Sequence, residues 1–181
     1  MTGLPAAWQT ERFLIQNVAP AETGRLREVY NSCHYVEPWD KTFYLVSEEE
    51  IAELVNDSLA FGRTDRDRFQ MQSIRQQESG EIIGYFHLSH GRPHPHVAFI
   101  SMFVVQRDHQ KERVGAEVTA GLWDQLRQAG ECTAVWLNVY LKNWPAIRFW
   151  LNTGFNTIID YDGDPILTDT SHADLTLEKK L

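Results

Sequence analysis

Apolar side chains recur along this chain at two spacings. Alternation marks strands, and steps of three and four mark helices. Residues 11–18, "ERFLIQNV", alternate and predict a first strand. Pro20 then leads into residues 21–33, where Leu26, Val29, Tyr30 and Cys33 fall on one helical face. A second helix is predicted over residues 47–60. Ser47 and Glu50 stand as a capping box, and Ile51, Leu54, Val55 and Leu59 form the apolar stripe. Between these helices, residues 34–44, "HYVEPWDKTFY", are rich in aromatics and read as a loop suited to lining a pocket. After a charged turn at residues 63–68, two strand segments follow at 69–77 and 82–90, joined by the turn "ESGE". A second turn, "GRPHPH", precedes residues 97–105, "VAFISMFVV", which read as a strand buried on both faces. Val114, Val118, Leu122 and Leu126 step by four along a third helix, which Gly130 stops. Residues 132–141 form a strand. Asn143 caps a short helix with Pro145 in its first turn and Gly154 past its end. Residues 156–162 and 173–181 are the last two strands.

The three-strand run is expected to be antiparallel through its short turns. The strand–helix–strand unit from Val97 to Leu141 is expected to be parallel, with a right-handed crossover. The fold class is therefore α/β, a mixed and mostly antiparallel sheet of about seven strands with about four helices. The length of 181 residues fits one domain over the whole chain.

Composition narrows the partners. A net charge of −8 argues against nonspecific nucleic-acid binding and is compatible with a cationic substrate. The longest apolar run is too short to span a bilayer as a helix, and the N-terminus lacks a basic region followed by an apolar one. Cys33 and Cys132 are far apart without metal-type spacing and read as reduced thiols, consistent with a cytoplasmic location. His90, His94 and His96 crowd one turn, but nothing in their spacing makes three ligands converge, so no metal is expected.

The stretch "QKERVGAEV", residues 110–118, lies between the buried strand and the third helix. A strand, a tight loop and a helix start form a layout that binds phosphates, because the first turn has free N–H groups. Gly115 allows close backbone approach. Arg113 either denies that approach or adds its own fork of donors. An ordinary helix start with solvated charges is the alternative reading of the loop by itself.

A second block settles the direction. The stretch from Gln110 to Gly115 resembles the central signature of the GNAT superfamily of acetyl-CoA-dependent N-acetyltransferases, with its first glycine replaced by Arg113. Asn143, Ala146, Phe149, Trp150, Gly154 and Phe155 resemble the family's second block, and the element order matches over nearly the whole chain. The resemblance implies a GNAT-like sheet with a splayed central parallel strand pair. It implies acetyl-CoA as co-substrate, held by Phe103, Val104 and Val105, by Gln110, Lys111, Glu112, Arg113, Val114, Gly115 and Ala116, and by Asn138, Asn143, Ala146, Phe149 and Trp150. A backbone N–H near Val104 is expected to hold the thioester oxygen. Many relatives carry a proton-donating Tyr at position 150; indole does not act as an acid near neutral pH.

The remaining chemistry is a base and an acid. An amine with a lysine-like pKa is neutral in only about one molecule in a few thousand at pH 7, so its proton needs an acceptor. Glu37 is the first candidate, and Ser101, in the buried strand, is a second as the anchor for a water. Tyr140 is the substitute donor. The expected activity is transfer of an acetyl group from acetyl-CoA to a small-molecule or peptide amine by direct attack. A CoA-binding module of the same fold with little turnover is the alternative. The acceptor's identity stays open, as does assembly into a homodimer.

Overall fold

The computed structural model describes residues 3–63, 68–166 and 168–181. Residues 64–67 of the charged turn lie outside the described residues. Twelve regular elements follow the expected order: β1 (Ala7–Gln9), β2 (Phe13–Asn17), α1 (Thr23–Asn31), α2 (Glu48–Leu59), β3 (Phe69–Gln76), β4 (Ile82–His90), β5 (Val97–Val105), α3 (Val114–Ala129), β6 (Ala134–Tyr140), α4 (Trp144–Asn152), β7 (Thr157–Gly163) and β8 (Ala173–Lys180). The strands form one sheet in the order β1-β2-β3-β4-β5-β6-β8-β7. Only β5 and β6 run parallel.

The sequence reading has one strand fewer. The extra one is β1, three residues long and too short to show a period. Its buried Trp8 donates from Nε1 to Gln72 Oε1 at 2.8 Å, which satisfies two polar groups under the sheet.

Each helix covers a face because its apolar stripe does. Leu122 and Leu126 of α3 are buried in one core cluster with Ile83, Val135 and Phe155. Leu26, Val29, Ile51 and Val55 of α1 and α2 are buried in a second cluster with Met71 and Tyr85. Fully burying such a side chain contributes about 1.5–3 kcal/mol. The capping box forms: Glu50 N donates to Ser47 Oγ at 3.2 Å and Ser47 N donates to Glu50 Oε2 at 2.8 Å. The stripe of α2 differs at its end. Leu59 is exposed, and Ser58 is buried instead, accepting from Met71 N at 2.8 Å.

The decisive irregularity lies in β5. The parallel pairing with β6 runs only from Val97↔Ala134 to Ile100↔Leu137. Pairing with β4 continues to Gly84↔Val105, and its register slips between His87↔Met102 and Leu88↔Ile100, leaving Ser101 as the extra, bulged residue. From the bulge onward β5 has no strand partner on its β6 side. The segment is therefore not buried on both faces as expected: Ser101 is exposed, while Met102, Phe103 and Val105 are half-buried.

The three histidines of the turn have separate partners. His90 Nε2 lies 3.2 Å from Gln70 Oε1, the His94 ring packs edge-on against Trp136, and His96 Nδ1 lies 3.4 Å from the Glu131 carbonyl.

Candidate functional site

Where β5 leaves β6, a cleft of about 890 Å³ opens. One wall is the bare edge of β5, and the start of α3 and the body of α4 line one end. The loop after α1 also lines the cleft, with Tyr35, Trp39 and Asp40 among the lining residues.

The direction of each backbone group on that edge follows from the ladder. Gln106 N donates to Ile83 O at 2.7 Å, so residues 83 and 106 bond across β4 and β5. Bonded and non-bonded pairs alternate in an antiparallel ladder. Val104 therefore faces β4; its carbonyl lies 2.6 Å from where a Cβ on Gly84 would stand. Phe103 and Val105 face the cleft. The Val105 carbonyl accepts from Gln110 Nε2 at 2.9 Å and from the Cys33 thiol at 3.4 Å. Of the backbone N–H groups near Val104, its own belongs to the ladder, and those of Phe103 and Val105 face the cleft.

The loop before α3 has unusual backbone angles. Lys111 has φ 71° and Arg113 has φ 62°, both left-handed. Arg113 is also the residue immediately before the helix, in the place of the signature's missing glycine. A non-glycine residue held there costs roughly 1–2 kcal/mol. Alternating hands along a loop turn successive N–H groups to one side, an anion-binding geometry. The Arg113 side chain is exposed, lines the cleft and has no partner among the described residues. Gly115 lines the cleft and has a packing role besides. A Cβ there would meet the Phe149 ring at 2.9 and 3.0 Å, so the glycine lets Phe149 pack under α3.

Gln110 is a strut. Besides its bond to Val105, its Oε1 accepts from the Tyr35 hydroxyl at 2.7 Å and from Arg107 Nη1 at 3.4 Å. The Arg107 guanidinium lies 4.0 Å above the Tyr35 ring. A hydrogen bond and a cation–π contact thus tie the loop after α1 to the loop before α3. Arg12 braces that second loop from β2's end, donating to the Glu112 carbonyl at 3.0 Å and to Glu117 at 2.7 Å.

Other expected residues divide. Ser101, Lys111, Val114, Ala116, Asn138, Tyr140, Asn143, Ala146, Phe149 and Trp150 line the cleft; Glu37 and Glu112 do not. Glu37 is exposed at the end of a 3-10 turn over His34–Val36, and Asp40, three residues on, takes its place in the wall. Asn143 Oδ1 accepts from Ala146 N at 3.2 Å and caps α4. Asn138 Oδ1 accepts from Thr176 at 2.9 Å. Trp150 is buried, in edge-on contact with the rings of Phe103, Phe149 and Phe155.

Burial, and after it the charge of Asp40, pushes the Tyr30 phenol up to about 12. Tyr30 is therefore protonated at neutral pH and is no base. Burial likewise raises the Cys33 thiol. Asp40, Arg107 and Asp174 were not found from sequence. Asp174 sits opposite Tyr140 across β6 and β8, a pairing that alternation in β8 does not reveal without its register.

Comparison with known proteins places this geometry. The family model described as acetyltransferase (GNAT) family matches residues 24–155. RimL, a ribosomal L7/L12 alpha-N-protein acetyltransferase in complex with coenzyme A, superposes with a TM-score of 0.77 at 13% identity, over 98% of this chain and 97% of that one. Ribosomal-protein-S5-alanine acetyltransferase from Vibrio fischeri gives 0.76 at 10% identity over 97% of both chains. A chimera of spermidine N-acetyltransferase SpeG from Vibrio cholerae and hSSAT gives 0.73 at 10% identity over 94% and 96%. A search of the curated proteins finds no match. The chain belongs to the acetyltransferase (GNAT) family and is an acyl-CoA N-acyltransferase of that type. Among the described residues no helix is long and apolar enough to cross a membrane.

Proposed function

We propose that the protein moves an acetyl group from acetyl-CoA to a primary amine by direct attack. The observation that carries this reading is the bare edge of β5, with Phe103 and Val105 facing the same cleft as the start of α3. The residues suit the co-substrate. The cations lining the cleft are Arg107, Lys111 and Arg113, with His109 among them, all within the loop before α3, where a pyrophosphate needs them. Val114, Gly115 and Ala116 add the free N–H groups of the first helical turn.

Bound acetyl-CoA supplies the thioester whose acetyl group is transferred. Val105 pairs with the pantetheine arm. The Phe103 N–H donates to the acyl oxygen as charge develops on it. Ser101, exposed at the bulge, anchors the water that takes the amine's proton. Tyr140 is the donor for the departing sulfur, and Trp150 is a wall of the thioester pocket. A thiol with a pKa near 8.5 leaves readily even where protonation is incomplete. Calorimetric titration with CoA, followed by thiol release over a panel of amines, tests the reading. Binding with turnover supports it; binding with no turnover for any amine leaves a CoA-binding module instead.

Arg113→Gly separates strain from contact. Relief of the left-handed strain should raise Tm by about 2–4 °C, since about 1 kcal/mol shifts a domain of this size by that much. Loss of the charged phosphate contact should weaken CoA binding roughly ten- to a hundredfold. A more stable variant with unchanged affinity would show that Arg113 is tolerated and the backbone does the binding.

A further inference from the structure

Charge in the cleft is segregated. Among the described residues its cations are confined to residues 107–113, before α3. Its carboxylates, Asp40 and Asp174, lie on two other elements, the loop after α1 and β8. Lys41 and Lys142, close in sequence to Asp40 and Tyr140, act on Asp164 and do not line the cleft. Each carboxylate has a ring beside it: the charge of Asp40 is felt by Tyr30, and Tyr140 on β6 stands directly opposite Asp174. Rings and carboxylates together recognise an ammonium group, through cation–π attraction and charge.

The setting of Asp174 strengthens this. It pairs directly with Tyr140 on β6 and with Asp162 on β7. Like charges directly opposite each other destabilise a sheet. The Asp174 side chain has no hydrogen bond or ion pair among the described residues, while Asp40 spends one oxygen on Thr42, at 2.9 Å to its N–H and 2.7 Å to its hydroxyl. The fold therefore holds an unneutralised carboxylate pair beside a cleft. A carboxylate next to the attacking nitrogen would hold its proton on, so these groups suit a second positive charge instead.

Resting on the acetyl-transfer reading, we propose that the acceptor is a dication, a diamine-type molecule. One of its amines is acetylated at the β5 edge while the other is held as ammonium by Asp174, with Asp40 as the cleft's second carboxylate. Acceptors carrying a carboxylate at that distance, such as amino acids, meet only negative charge there.

Three four-carbon probes test this: 1,4-diaminobutane, n-butylamine and 4-aminobutyrate, which end in ammonium, methyl and carboxylate. With saturating acetyl-CoA, kcat/KM from thiol release should be at least about tenfold higher for the diamine than for butylamine, and lowest for aminobutyrate. Asp174→Asn should lower the diamine-to-butylamine ratio about tenfold. It should also raise Tm, because the facing pair with Asp162 loses one charge. Equal rates for the three probes, or an unchanged ratio in a folded Asp174→Asn protein, overturns the proposal. If acetyl-CoA binds in calorimetry but none of the probes is turned over, the dication is wrong and co-substrate binding stands. If acetyl-CoA itself does not bind, the underlying reading fails and takes the dication with it.

Discussion

Gly115→Val is expected to destabilise the protein by about 1–3 kcal/mol and to weaken CoA binding in the same stroke. The added side chain starts 2.9 Å from the Phe149 ring, well inside contact distance. Phe149 is packed against Trp150 at 4.7 Å and Phe103 at 5.9 Å between ring centres. It is half-buried and lines the cleft, so the cleft is the direction in which it can yield. The loss of binding would then come from the displaced ring and not from the new side chain. Phe149→Leu in the same protein decides between these causes. If the double variant regains stability beyond the sum of the two single effects and binds CoA again, Gly115 exists to seat Phe149. A double variant that is stable yet still fails to bind returns Gly115 to the role of close ligand approach.

The largest loss of rate is expected from Phe103→Pro. Proline removes one N–H, and at Phe103 that N–H faces the open edge, outside the β4 ladder. A proline is tolerated in a strand where its missing donor points away from a neighbour. The fold should survive, and kcat should fall by about 10²–10³, the cost of removing one oxyanion donor. Phe103→Ala keeps the N–H and corrects for the lost ring. Val104→Pro is the contrast: its N–H faces β4, so that variant should fail to fold stably. Equal kcat in Phe103→Pro and Phe103→Ala would remove the N–H from the mechanism.

Much of the fold was legible because its elements are long and regular. The helices announced themselves through the steps of Leu26 and Val29, of Ile51 and Val55, and of Leu122 and Leu126. Their ends were readable because Ser47, Asn143 and Gly130 do chemistry that depends on sequence alone. The site was legible only in part. Two blocks of residues pointed to the α3 and α4 end, where Gln110 and Trp150 do line the cleft. The splay of β5 from β6 was expected from the resemblance, but the exposure of Ser101 was not, because a bulge leaves no mark in an apolar run. A one-residue change of register also decides whether Val104 or Phe103 presents its backbone to the cleft. Glu37 was chosen as a carboxylate in the right loop; the turn over His34–Val36 puts Asp40 into the wall instead. Asp174 is far from every motif in sequence and is brought in only by the pairing of β8 with β6.

The strut at Gln110 makes the two halves of the cleft thermodynamically linked. Its amide nitrogen holds the Val105 carbonyl, while its oxygen holds Tyr35. An amide arm that donates to the Val105 carbonyl would compete with this side chain, exchanging one hydrogen bond for another at little net gain. The displaced amide frees Tyr35, so filling the strand edge loosens the aromatic wall on the far side. Reciprocity follows: a molecule that grips the closed wall must weaken binding at the edge by the same factor. The coupling between the two ligands would thereby run through a single glutamine.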